Sequence, residues 1–288
     1  MVGGGQAGGR IRHPIPVPAR PLVGRSMRAA LAACALASGL ACASPGEPDP
    51  AARRETDEAL AILAKMSELL ASRPAVQLEA DLQYDAVQPS GERIEFGSTR
   101  QIALRRPDRA RVEVVHRDGE RELVTFDGRR LSAALPDHRL YASADFEGTI
   151  GEAFDLLVTE HGAPAPLADL FRPDLSQELA RRVISARRLP PVSLGGFPCH
   201  HLAFRGERID FQIFIQRGET PLPRRLLIDY HQAEGRPQFR AQLRDWDLSP
   251  DLPDSFFRFV AQPGARRVGF PDLLDRVLGP PHDEGSTR

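Results

Sequence analysis

The chain has 288 residues, 41% of them hydrophobic and 27% charged, with 38 basic against 39 acidic side chains and a net charge of −1. This is the composition of a globular protein able to bury a sizeable core, as one large domain or two small ones. No basic stripe is present to neutralise phosphates, so nucleic acid is not an expected partner.

Residues 1–26 are rich in Gly and Pro and read as an upstream extension outside the fold. Gly3-Gly4-Gly5-Gln6-Ala7-Gly8 fits G-x-G-x-x-G, but that fingerprint works only between a strand and a helix, and neither is expected here. The run from Met27 to Ala43 has a short positive start at Arg28 and an apolar stretch too short to span a bilayer. Small residues follow at Ala41-Cys42-Ala43. It reads as a secretory signal peptide with Met27 as the start codon, which places the mature protein in the periplasm. Cleavage after Ala43 removes five arginines and no acid, leaving 33 basic side chains against 39 acidic ones. Cys34 and Cys42 leave with the signal, and Cys199 alone cannot form an internal disulfide. A lipid anchor on Cys42 is the less favoured alternative, because Gly39 stands where a lipobox usually carries Leu. Residues 44–55 read as a linker.

From Thr56 to Ser72 the residues Leu60, Leu63, Met66, Leu69 and Leu70 recur at helical spacing, and Pro74 ends the helix. The period then changes to two. Val76, Leu78, Ala80, Leu82 and Tyr84 alternate with polar residues, as in a half-buried strand. Turn signals at Ser90-Gly91, Pro107-Asp108, Asp118-Gly119, Asp127-Gly128 and Pro136-Asp137 divide an antiparallel meander of about five or six strands. Thr149 and Glu152 form a capping box that opens a helix closed by Gly162 and Pro164. Shorter helices are expected in "PLADLF" and "SQELARRV". About five more strands begin near Val183, with Pro221 and Pro223 at a strand start where a missing donor is tolerated. The predicted fold is α+β, a single domain over residues 56–270 in which one curved antiparallel sheet of about 10–11 strands wraps over a few helices. Residues 271–288 read as a flexible tail.

Cys199-His200-His201 is the densest group of reactive side chains. Neighbours on a strand point to opposite faces, so the two imidazoles cannot converge on one ion, and Cys199 with His201 falls short of the ligand count zinc requires. The other histidines lack ligand spacing, and no metal or other cofactor is expected. Cysteine is often buried, and "CHHLAF" lies between apolar stretches, so a core thiol is favoured over a nucleophile. No G-x-S-x-G occurs. Asp245 and Asp247 read as solvent-facing charges around a buried Trp246. A non-catalytic protein is expected.

The segments "RRPDRARVE", "PLADLF", "GFPCHHLAFRGERIDFQIFIQRGETPLPRRLLIDY" and "PQFRAQLRDWDLSPDLPDSFFRF" resemble a bacterial family of predicted periplasmic proteins, over roughly Glu55 to Val268. That family is similar in fold to the lipoprotein carriers LolA and LolB. The resemblance implies an open antiparallel half-barrel with an apolar concave face closed by helices. Trp is common in that family in the strand that here reads Asp210 to Ile215, where this chain has Phe.

One-sided apolar strands support the same expectation from the residues themselves. Phe96, Phe204, Phe211, Ile213, Ile215 and Trp246 are the candidate lining of a concave site for a hydrophobic small molecule, a lipid or a lipoprotein acyl chain. Either such a ligand occupies part of the concavity or the helices fill it. A monomer is expected, with peripheral membrane association as an accompaniment. The alternatives are an envelope protein-interaction or sensor domain and, less favoured, a hydrolase using Cys199.

Overall fold

The computed structural model describes residues 49–159 and 167–273. The expected signal run with Cys42, the helix closure at Gly162 and Pro164, and the tail beyond residue 273 lie outside the described residues.

Helix α1 (Pro50–Ser72) begins six residues before the apolar spacing does. Asp49 caps it, accepting a hydrogen bond from the Ala51 N–H, and Pro50 occupies the first helical position, where no N–H is needed. Six strands follow: β1 (Ala75–Val87), β2 (Arg93–Arg105), β3 (Arg109–His116), β4 (Arg121–Phe126), β5 (Arg130–Leu135) and β6 (Leu140–Asp145). Helix α2 (Ile150–Thr159) starts with the expected capping box, in which the Thr149 N–H donates to Glu152 and the Glu152 N–H donates back to Thr149 Oγ1. A 3-10 turn (Ala168–Phe171) and α3 (Leu175–Arg182) complete the helical insertion. Then come β7 (Val183–Leu194), β8 (Phe197–Gly206), β9 (Asp210–Gln216), β10 (Pro223–Asp229), β11 (Gln238–Asp247), the short α4 (Asp254–Phe257) and a two-residue β12 (Arg266–Arg267).

All twelve strands form one open sheet, in the order β12-β6-β5-β4-β3-β2-β1-β11-β10-β9-β8-β7. Within each half, consecutive strands pair as hairpins. The halves join where β1 pairs with β11, and only the terminal β12–β6 pair is parallel. The expected antiparallel half-barrel is therefore observed, with twelve strands in place of ten or eleven.

Period-two alternation sends one set of side chains to the inner face. Apolar side chains of α1, namely Ala59, Leu63, Met66 and Leu70, pack there against Leu82, Leu202, Ile213 and Leu226 in one continuous core. The chain after β11 first crosses the outer face, where Phe257 and Leu252 pack on Ala75 and Ala103. It then passes the β6 edge as β12 and turns onto the inner face, where Leu273 is buried against Leu135, Leu140 and Ala142.

The opposite edge, β7, carries Pro190 and Pro191 and is shielded by α1. Thr56 Oγ1 accepts from the Ala186 N–H at 3.1 Å, and Glu55 accepts from the Arg188 N–H at 2.9 Å. Side chains of a helix thus stand in for the neighbouring strand that an open edge would otherwise recruit.

Candidate functional site

Strand register settles which residues share the inner face. Tyr84 faces Phe96, Leu82 faces Ser98, and Ala80 lies between Arg100 and Leu243. Farther along the sheet, Ile228 faces Phe211, and Phe211 faces Phe204. All six predicted lining residues belong to, or pack against, one apolar cluster. Phe204, Phe211, Ile213 and Ile215 are fully buried in it, and the Phe204 and Phe211 rings stack with centroids 4.6 Å apart. Phe96 and Trp246 are half-buried.

Trp246 reaches this face through a bulge. Asp245 adopts a left-handed backbone (φ 54°), and the β1–β11 register slips between Gln77 and Glu79. Asp245 and Asp247 therefore do not bracket the indole on a regular strand. The ring lies 6.2 Å from that of Phe171, and its Nε1–H donates to the Pro223 carbonyl at 3.2 Å.

The cover over the inner face is uneven. Over β8–β10 the side chains of α1, the 3-10 turn and α3 fill the space, and Ile213 is only 1% exposed. That part of the concavity is a packed core. Over β2–β4 six inward residues, Phe96, Arg100, Val112, His116, Glu122 and Val124, are half-buried, interspersed with the buried Ser98, Ile102, Val114 and Phe126. On the outer face of β7–β11 lies a shallow groove of about 360 Å³ lined by Arg187, Arg205, Gln212 and Asp229 among others.

Two polar contacts anchor the cover. The Arg106 guanidinium, just past the end of β2, donates to the Phe171 carbonyl at 2.9 Å and the Leu70 carbonyl at 3.3 Å, which ties the 3-10 turn and the end of α1 to the sheet. Arg172 bridges Asp155 of α2 at 2.9 Å and Asp174 at 3.4 Å. Between these, burial lifts the Asp169 carboxyl to about 6, with Asp155 and Asp174 adding to the lift and Arg172 and Arg182 opposing it. Burial, and then the charge of Asp169, push the Tyr230 hydroxyl upward in turn.

The thiol and imidazoles of β8 do not converge. Cys199 pairs with Gln216 on the outer face and has no solvent exposure, while His200 pairs with Ile215 on the inner face. His201 does share the outer face, but its Nε2 is 2.8 Å from Gln212 Oε1 and its ring stacks on Phe214 at 4.1 Å. Burial raises the thiol pKa. Among the described residues no three His, Cys, Asp or Glu side chains are grouped to hold a metal ion, and no helix is long and apolar enough to cross a membrane.

Sequence patterning found the apolar lining but passed over its polar interruptions, Ser98, Arg100, His116 and Glu122. The alternation of "FGSTRQIAL" carries them, because it puts Phe96, Ser98, Arg100, Ile102 and Leu104 on one face.

A family model described as a predicted periplasmic protein, DUF2092, matches residues 59–271. Among solved structures the chain is similar to lipoprotein LppX of Mycobacterium tuberculosis, at 13% identity over 68% of this chain and 98% of that one, with a TM-score of 0.43. LprF of Mycobacterium bovis is 12% identical over 69% and 97%, with a TM-score of 0.44. A LolA superfamily protein of Nitrosomonas europaea is 15% identical over 70% and 97%, with a TM-score of 0.34. No curated protein sequence matches significantly.

Proposed function

Since the chain belongs to the DUF2092 family of predicted periplasmic proteins, we propose that it is a non-catalytic periplasmic binder of a lipid, a lipoprotein acyl chain or another apolar ligand. The ligand lies on the concave face of the sheet. The carrying observation is the half-buried stretch over β2–β4, where Phe96, Val112 and Val124 continue the buried lining at partial exposure. Apolar surface left in contact with water inside a concavity favours an apolar occupant. Burying about ten methylenes there is worth about 8 kcal/mol before the cost of association, enough for useful affinity. A longer chain reaches Phe204, Phe211, Ile213, Ile215 and Trp246 only if α1 and the 3-10 turn move aside. Export of the chain is assigned to the run Met27–Ala43.

Titration with an uncharged fluorescent long-chain alcohol tests the proposal. Saturable binding is expected, and Val112→Asp should weaken it at least tenfold with the fold retained, because a carboxylate then meets the chain. Absence of saturable binding to the wild type, or unchanged binding to a folded Val112→Asp, overturns it.

A further inference from the structure

The inner face of β2 breaks its apolar pattern twice in succession, and neither break is satisfied. Ser98 is 0% exposed, yet its Oγ has no hydrogen-bond partner. Two residues on, the buried Nε of Arg100 also lacks a partner. Arg100 forms no ion pair with any described residue. A buried polar group left unpaired costs roughly 1–3 kcal/mol, more when charged, so folded proteins seldom keep two side by side without a use.

The neighbours define what would satisfy them. In register, Ser98 faces His116, and Arg100 faces Val114, which faces Glu122. His116 Nε2 lies 2.7 Å from Glu122 Oε1, and that hydrogen bond raises the histidine pKa; the Glu122 carboxylate also acts on Arg100 through its charge, without an ion-pair contact. Tyr84, stacked on Phe96 at 6.0 Å, brings a hydroxyl into the field of Arg100. The cluster offers a guanidinium and two hydroxyls, set among the half-buried Phe96, Val112 and Val124 of the concave face.

We propose that Arg100 and Ser98, with Tyr84 beside them, bind the acidic head group of an amphiphile, a carboxylate or phosphate, whose chain lies along the apolar inner face. The assignment rests on the apolar-ligand reading above and adds the ligand's polar end. A guanidinium and a hydroxyl on one strand face give an anionic oxygen charge-assisted hydrogen bonds, which are the stronger class. The same groups offer an alcohol head much less.

The test uses two fluorescent probes with the same long chain, one ending in a carboxylate and one in an alcohol, with inorganic phosphate alone as a third ligand. The wild type is expected to bind the acid roughly tenfold or more tighter than the alcohol, a difference of about 1.4 kcal/mol. Arg100→Gln should bring the acid down to the alcohol's affinity, and Ser98→Ala should remove part of the difference. Both variants should keep the alcohol's affinity, which shows that the fold and apolar site persist. Equal binding of acid and alcohol by the wild type overturns the head-group site while leaving the apolar-ligand reading intact. Binding of neither probe overturns both. Equal loss of both probes in Arg100→Gln and Ser98→Ala assigns these residues a structural role and overturns the proposal. Inorganic phosphate binding as tightly as the acid probe overturns it in favour of a free-anion site.

Discussion

Cys199 illustrates how neighbouring side chains on one strand acquire unrelated environments. It lies on the outer face of β8, its Sγ 3.4 Å from the carbonyl of Phe197, on whose ring the Arg224 guanidinium stacks at 3.7 Å. Its pKa is raised and it has no solvent contact, so it lacks both the thiolate and the access a nucleophile needs. Cys199→Ala should cost about 1–2 kcal/mol in urea unfolding. A thiol reagent at pH 8 should label the unfolded chain and spare the folded one, and rapid labelling of the folded protein would contradict this. The alternation of apolar residues around the thiol made its burial legible. The partners of His201 were not legible, because Gln212 and Phe214 come from the adjacent strand. Asp169 shows the reverse case, a polar residue whose burial no local pattern announces. Its carboxyl titrates near 6 in the folded chain against 3.8 normally, so below pH 4 it is protonated in both states and costs nothing. Between about 4 and 6 the unfolded chain gives up its proton first, and stability falls as pH rises. Above 6 the full penalty is present, on the order of 1–2 kcal/mol after solvent screening. Asp169→Asn should therefore stabilise the protein at pH 7 and flatten its stability between pH 4 and 6, as followed by thermal unfolding. A variant less stable than wild type at pH 7 would show that the carboxylate is compensated.

At the scale of elements, the helical cover is held by few groups. The Arg106 donations to Phe171 and Leu70 join three elements at one guanidinium. Arg106→Ala should lower stability by about 1–3 kcal/mol. Amide exchange should speed up in residues 167–182 and at the end of α1 while the β8–β11 amides stay protected. Uniform acceleration across the sheet would mean that the cover is not a separate unit. Strand limits and the capping box of α2 were readable, because period-two alternation, turn residues and the Thr149–Glu152 spacing are local signals. The bulge at Asp245 was not, since a non-glycine residue at φ 54° leaves no mark in composition, and it alone decides that Trp246 faces inward. The early start of α1 was likewise hidden. Its first turns are polar because they serve the β7 edge through Glu55 and Thr56 rather than a core.

For the whole molecule, the hairpin order within each half follows from short connections, and the sequence made it plain. The β1–β11 junction did not show, because it joins residues separated by more than half the chain, and only complementary apolar faces select it. That junction makes the inner face continuous from Phe96 to Phe204 and so creates the concavity. Its contents are divided in a way the apolar pattern could not foresee: packed under α1 near Ile213, and half-open with polar groups near Arg100. The central claim is that the half-open part holds an amphiphile. Mass spectrometry of organic extracts from the mature protein, purified from the periplasm without detergent, tests this most directly. The account predicts an acyl-chain compound with an acidic head group in near-stoichiometric amount. Extracts holding no more acyl-chain material than those of an unrelated periplasmic protein would contradict it.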